Sequence, residues 1–331
     1  MPQFNRNELD VAARRSGFTR DTFEKVVRLK EILTWISEQD ILKNHLLLKG
    51  GTAINLTIFD LPRLSVDIDM DFTPDLEKSD MMAMRKEISN IILAYMESEG
   101  YTLSTASRFH QSLDSFYFTY GNAAGNKDMI KLELNYSLRA HVINPTKRII
   151  AIDSFGNDIG IMTVDPLEIF AAKANALLSR AAARDLYDMN TMITQGLFEN
   201  QKDLMRKCII FYASISREKL DISFDTNAID SLTFQKIRRD LFPVLGQEER
   251  HEFFDLEGRK QQVKDYIQSL MILTDSEKEY IYRFDKHEYQ PELLFEDTEI
   301  VERIKDHPMA IWKCSERENM RKKSHDRDVR S

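Results

Sequence analysis

Asp67, Asp69 and Asp71 alternate with Val66, Ile68, Met70 and Phe72 in one short segment. That alternation is the period of a half-buried strand, on which side chains two residues apart project to the same side, ~7 Å from each other. Asp67 and Asp69 therefore project together. Two like charges with no Lys or Arg between them repel. A divalent cation makes the pair favourable, and Mg²⁺ takes carboxylate oxygens together with substrate phosphates. A second alternating segment, Ile130–Tyr136, carries Glu133 at its centre. Laid beside the first strand, Glu133 would complete three carboxylates able to hold two metals for in-line attack at a phosphoryl centre. Glu133 with Lys131 also fits a surface ion pair, and Asp71 reads as a solvent-facing strand end.

Gly50-Gly51-Thr52 lies between the apolar run Leu46–Leu48 and a predicted helix start. Two glycines let backbone approach a phosphate, and a helix N-terminus offers unpaired N–H donors. The segment is neither a GxxxxGK[ST] loop nor a GxGxxG fingerprint. Its weight comes from the acidic strand that follows. Farther along, helical periodicity over residues 168–190 places Lys173, Leu177, Arg180, Arg184 and Asp188 on one face of one helix. Three cations there suit phosphates, with Asp185 and Asp188 orienting them or contacting a nucleotide; a solvated helix face with i,i+4 pairs is the plainer alternative.

The elements that must position these groups follow from pattern. Residues 7–20 and 21–38 read as helices, the second with Phe23, Val26, Val27, Leu29, Ile32, Leu33 and Ile36 at helical spacing. Strands are expected at 46–48, 66–72, 115–120, 130–136, 148–152 and 159–163, with the third and fourth paired as a hairpin across the turn residues 121–126. Phe116, Tyr117, Phe118 and Tyr120 are expected to pack the sheet and not to stack bases. Residues 80–99 read as a helix closed by Gly100, and Pro166 opens a helical region reaching about residue 285. The expected organisation is an N-terminal helical collar (1–40), an α/β core (41–165), a helical C-terminal domain (166–312) and a charged tail (313–331).

Bulk properties agree with a soluble, helix-rich α+β protein. The chain has 331 residues, 42% hydrophobic and 30% charged, with 11 Gly and 8 Pro. A net charge of -8 means that any nucleic acid must be met by a local basic surface. No apolar run approaches the ~20 residues that span a bilayer, so no membrane role is expected. The opening MPQFNRNELD does not read as a signal peptide. Cys208 and Cys314 stand in no metal-ligand spacing, which points to a reducing, cytoplasmic setting. The seven histidines are scattered; His110 and His141 fall near the core with nothing to place them in a site.

The stretches LLLKGGTAINL and LPRLSVDIDMDF strongly resemble the AbiEii/AbiGii-type nucleotidyltransferase toxin family, within the DNA-polymerase-β-like nucleotidyltransferase superfamily. SGFTRDTFEKVVRLKEIL, KANALLSRAAARDLYDM and PELLFEDTEIVERIKDHPMAIWK are similar to the same family, so the resemblance spans roughly residues 10–313. It implies a nucleotidyltransferase-fold core with a small mixed sheet, N-terminal helices and a helical C-terminal domain. By similarity, Gly50, Gly51 and Thr52 would cradle a triphosphate. Asp67 and Asp69 would hold Mg²⁺ (or Mn²⁺), with Glu133 a third candidate ligand. Arg63 and Ser65 would support the metal strand. Lys173 and Asp185 match positions tied to nucleotide binding and activity, and Arg180 and Arg184 join them as candidate phosphate contacts.

The resemblance further implies a toxin of a toxin–antitoxin or abortive-infection system. It would transfer a nucleotide from an NTP to an acceptor, tRNA 3′ ends in some members, and so block translation; a neighbouring gene would encode a DNA-binding antitoxin. Two rivals stand beside this reading: transfer to a protein hydroxyl, and a non-catalytic NTP-binding module.

Overall fold

A computed structural model describes residues 5–59, 61–150, 152, 158–216, 223–250 and 254–315. Of the charged tail expected over 313–331, the part beyond residue 315, including RKKSHDR at 321–327, lies outside them. The chain forms two compact units. The first draws on the described residues of Met1–Arg139, Asn144–Pro166 and Leu241–Phe254, the second on those of Ala140–Ile143, Leu167–Asp240 and Asp255–Ser331.

In the first unit, helices α1 (Arg6–Arg15), α2 (Arg20–Glu38) and α3 (Asp40–His45) lead into β1 (Leu46–Lys49), α4 (Gly50–Thr57), β2 (Asp67–Phe72) and α5 (Lys78–Ser98). Strands β3 (Thr102–Leu103), β4 (Arg108–His110), β5 (Leu113–Gly121), β6 (Lys127–Asn135), β7 (Thr146–Ile150) and β8 (Ile159–Thr163) follow. The apolar stripe of α2 is buried, as its spacing predicts. The β5–β6 turn closes on Asn122, whose Oδ1 accepts from the backbone N–H of Ala124 and Asn126 at 3.0 and 2.9 Å. Residues 241–254 return to this unit through backbone bonds: Leu64 N–H donates to Val244 O at 2.8 Å and Gln247 N–H to Gly17 O at 2.7 Å.

The strands form one mixed sheet in the order β3-β5-β6-β2-β1-β8-β7, with β4 also on β5. β2 runs parallel to β6 and antiparallel to β1. Register sets the faces, because directly paired residues point to the same side. Lys49, Asp69, Glu133, Ser115 and Arg108 form one row across β1, β2, β6, β5 and β4, and Asp67, Lys131 and Tyr117 form the next. The opposite face carries Ile68, Met70, Leu132, Leu134, Phe116 and Phe118, all buried. Phe116, Phe118 and Tyr120 thus pack the core as expected. Tyr117 does not: it lies on the acidic face, half-exposed, because the period of two turns it away from its neighbours.

The second unit is helical among its described residues: α6 (Pro166–Arg180), α7 (Ala183–Thr194), α8 (Lys202–Ile215), α9 (Asn227–Asp230), α10 (Phe234–Asp240), α11 (Leu256–Leu270), α12 (Asp275–Asp285) and α13 (Thr298–Ile304), then a helical segment 308–315. The single helix expected over 168–190 is two helices. Ala181 takes a left-handed φ of 46°, and Ala182 is extended. No described helix is long and apolar enough to cross a membrane.

On α2, Glu31 is packed away from water, which raises its pKa to about 7 against the pull of Arg28. Its Oε2 has no hydrogen-bond partner among the described residues. A carboxyl whose folded pKa lies above its unfolded value of about 4.3 binds more protons when folded, so stability falls as pH rises from there through about 7. Replacing Glu31→Gln, which mimics the neutral form, is expected to raise stability by about 1–3 kcal/mol above pH 7.5. The gain should vanish at pH 4–5, as read by urea unfolding at both pH values.

Candidate active site

The chain turns from β1 into α4 at Gly50, whose φ of 71° is left-handed. That turn brings the backbone against β2: a Cβ added to Gly50 would stand 2.7 Å from Asp69 Oδ2. Gly51 is as tightly enclosed, since its Cβ would meet Arg63 Nη2 and Ser65 Oγ at 3.0 Å each. Beneath the turn, buried Thr52 donates to the Asp67 carbonyl, and its hydroxyl lies 2.9 Å from Ser65 Oγ. Buried Arg63 donates from Nη1 to Leu64 O at 3.0 Å. Thr52 and Ser65 therefore fasten the turn to the acidic strand, with Arg63 packed against Gly51. The first turn of α4 carries no side-chain cap, so its leading N–H groups keep the donor character of a helix N-terminus.

Charge is concentrated on the adjoining strands. Asp69 retains some exposed surface but is mostly surrounded by protein. Burial, with Glu133 and Asp67 adding to it and Lys49 opposing it, pushes its pKa up to about 6. Burial works against ionisation of Glu133 too, but hydrogen bonds from Lys131 and Ser115 outweigh it and hold its pKa low. Ser115 Oγ donates to Glu133 Oε1 at 2.6 Å, and Lys131 Nζ lies 2.8 Å from Glu133 Oε2. Asp71 is not the solvent-facing strand end its position suggested: it is buried and ion-paired with Lys49, because β1 covers that end of β2. Among the described residues no three His, Cys, Asp or Glu side chains already stand in metal-ligand geometry. Asp67 and Asp69 nonetheless fit a hard divalent cation: adjacent oxygen donors, one of them with its pKa raised by burial and by neighbouring carboxylates.

The second unit gathers a different cluster. Lys173 Nζ lies 3.0 Å from Asp185 Oδ1 and 2.7 Å from Asp188 Oδ2, all three largely buried. Arg180, mostly exposed, reaches Asp185 Oδ2 at 3.1 Å. On an unbroken helix Lys173 and Asp185 would be ~18 Å apart along the axis, beyond any lysine's reach. The break at Ala181 is what joins them. Arg184 leaves the expected stripe for the same reason and donates from Nε to Asp240 O at 3.0 Å, closing the end of α10. His141 sits in this unit 3.6 Å from the buried carboxylate of Glu168, and His110 is exposed on β4.

The sequence-expected residues thus fall into two groups. Gly50, Gly51, Thr52, Arg63, Ser65, Asp67, Asp69 and Glu133 converge in the first unit. Lys173, Arg180 and Asp185 converge in the second, with Arg184 turned to a backbone carbonyl. Lys49 and Ser115 were not anticipated. Adjacency to the glycines could have flagged Lys49, whereas Ser115 becomes visible only through strand register.

A strand–glycine turn–helix set against an acidic strand, on a mixed sheet followed by a helical half, is the frame of a nucleotidyltransferase. The family described as "Nucleotidyl transferase AbiEii toxin, Type IV TA system" matches residues 35–285, and the chain belongs to that family. It is a nucleotidyltransferase toxin of a type IV toxin–antitoxin system. Among solved structures, the chain is similar in fold to MenT4, a nucleotidyltransferase toxin from Mycobacterium tuberculosis H37Rv. The TM-score is 0.64 at 14% identity, covering 92% of this chain and 99% of that one. No curated protein matches.

Two outcomes follow from this geometry. Gly50→Ala forces Asp69 aside and strains φ, and should cost about 1–3 kcal/mol of stability together with most Mn²⁺ affinity. Gly121→Ala, where an added Cβ meets nothing within 4 Å, should leave Mn²⁺ affinity unchanged. Calorimetric titration with Mn²⁺ reads both. Because Asp69 is protonated below about pH 6, Mn²⁺ affinity should also rise between pH 5 and 7 with release of a proton. A flat profile would count against Asp69 as a ligand.

Proposed function

We propose that this toxin transfers a nucleoside monophosphate from an NTP to the 3′-hydroxyl of an RNA, a tRNA 3′ end foremost, and so blocks translation. The observation that supports this reading is the approach of the Gly50 backbone to Asp69 at the head of an uncapped helix turn, where N–H donors stand beside a carboxylate. The acceptor oxygen forms a bond to the α-phosphorus, the bond from that phosphorus to the bridging oxygen breaks, and pyrophosphate leaves.

Asp67 and Asp69 would hold Mg²⁺, with Mn²⁺ a workable replacement and Glu133 a third ligand only on release from Lys131. The bound ion supplies charge neutralisation and lowers the pKa of the attacking hydroxyl. The chain's own groups do the rest. Leading N–H groups of α4 donate to phosphate oxygens. Gly50 and Gly51 keep that approach open, while Thr52 and Ser65 hold the turn to β2, with Arg63 packed against Gly51. Lys173 and Asp185 bind nucleotide, with Asp188 fixing Lys173 and Arg180 available to phosphate. The antitoxin is read as a DNA-binding protein encoded nearby.

Incubation with each labelled NTP, Mg²⁺ and total RNA should label RNA. Asp67→Ala should reduce labelling at least 100-fold with the fold intact, the scale of losing a group that stabilises transition-state charge. Label on protein instead would move the acceptor to a protein hydroxyl. Growth inhibition that survives Asp67→Ala would favour a non-catalytic NTP-binding module.

A further inference from the structure

Beyond the carboxylates, the acidic face of the sheet changes sign. On β6 the residues sharing the face of Asp67 and Asp69 include Lys127, Met129, Lys131 and Glu133. On β5 the face carries Tyr117, and on the edge strand β4 it carries Arg108. The cations are thus Lys127, Lys131 and Arg108, against the one carboxylate of Glu133. Other acids of these strands do not offset them: Asp114 and Asp128 point to the opposite face, where they pair with Arg85 and Lys25. Lys127 and Arg108 are exposed and make no ion pair among the described residues. Lys131 is held by Glu133 at 2.8 Å, beside Asp67 in register. Tyr117 keeps its ring half-exposed, its backbone N–H fixed to Ser107 Oγ at 3.0 Å. In a chain of net charge -8 this local excess of cations is a departure from the overall field.

We infer that the open face of β6, β5 and β4 is the track for the acceptor: a single-stranded RNA 3′ end, its backbone on Lys127, Lys131 and Arg108 and a base stacked on Tyr117. This rests on the nucleotidyl-transfer reading and adds the acceptor surface to it. Register favours this occupant. Cations at the edge, a half-exposed aromatic between them and the metal-binding pair at the inner end span three strand spacings, ~14 Å. Electrostatic contacts along a backbone with an aromatic stacking platform are the general means of holding a single strand without reading its sequence. An acidic protein segment would use the cations but gain nothing specific from a stacking ring.

Binding of a fluorescent oligoribonucleotide with a free 3′-hydroxyl, measured by anisotropy in EDTA without NTP over a salt series, separates this inference from the chemistry. Arg108→Gln and Lys127→Gln should each lower the salt slope by about one. Tyr117→Leu should weaken binding about 10-fold with the slope unchanged, and Tyr117→Phe should restore it. Lys147→Gln, on the opposite sheet edge, should bind as the unaltered protein does. If the unaltered protein labels RNA but the Arg108, Lys127 and Tyr117 variants bind RNA as well as it does, the track is wrong and the transfer reading stands. If label goes to protein and no RNA binds, both fall.

Discussion

The molecule's chemistry depends on one contact distance. Where β1 becomes α4, the backbone passes so close to Asp69 that a side chain at Gly50 would have to displace the carboxylate. Such proximity has an electrostatic cost: a largely buried carboxylate beside Asp67 and Glu133 resists ionisation. The arrangement persists because separate restraints hold it. Thr52 is bonded to the backbone of β2, Ser65 and Arg63 fill the space behind Gly51, and Lys49 spans to Asp71. The excess negative charge on β2 is of the kind that a cation bearing phosphates would offset.

Much of this was legible in the residues. Alternation in Val66–Phe72 fixes which side chains share a face, and the Gly-Gly pair between a strand and a helix gains meaning from that acidic strand following it. What was hidden depends on pairing or on tertiary packing. Glu133 looks like a ready ligand until register brings Ser115 opposite it and Lys131 beside it, occupying both oxygens. Thr52 looks like a phosphate contact, yet its hydroxyl is committed inward to β2. Tyr117 reads as one more core aromatic in Phe116–Tyr120, and only the phase of the strand turns it outward.

The helical half carried a larger surprise. Ala181-Ala182-Ala183 is as helix-favouring a run as composition allows, so nothing local announces the left-handed turn at Ala181. The bend folds the two helices back so that Lys173 meets Asp185 and Asp188, at about 1–2 kcal/mol of left-handed backbone cost. The same bend explains why Arg184 serves α10 and not the stripe. Likewise, no pattern near residues 241–254 reveals that backbone bonds to Leu64 and Gly17 return that segment to the first unit.

The most direct measurement of the central claim is Mn²⁺ anomalous scattering from crystals grown with a non-hydrolysable NTP analogue. The expected result is an anomalous peak bonded to carboxylate oxygens of both Asp67 and Asp69, with analogue phosphates within hydrogen-bond distance of the N–H groups that open α4. A peak lodged elsewhere, or phosphates bound away from the glycine turn, would contradict it.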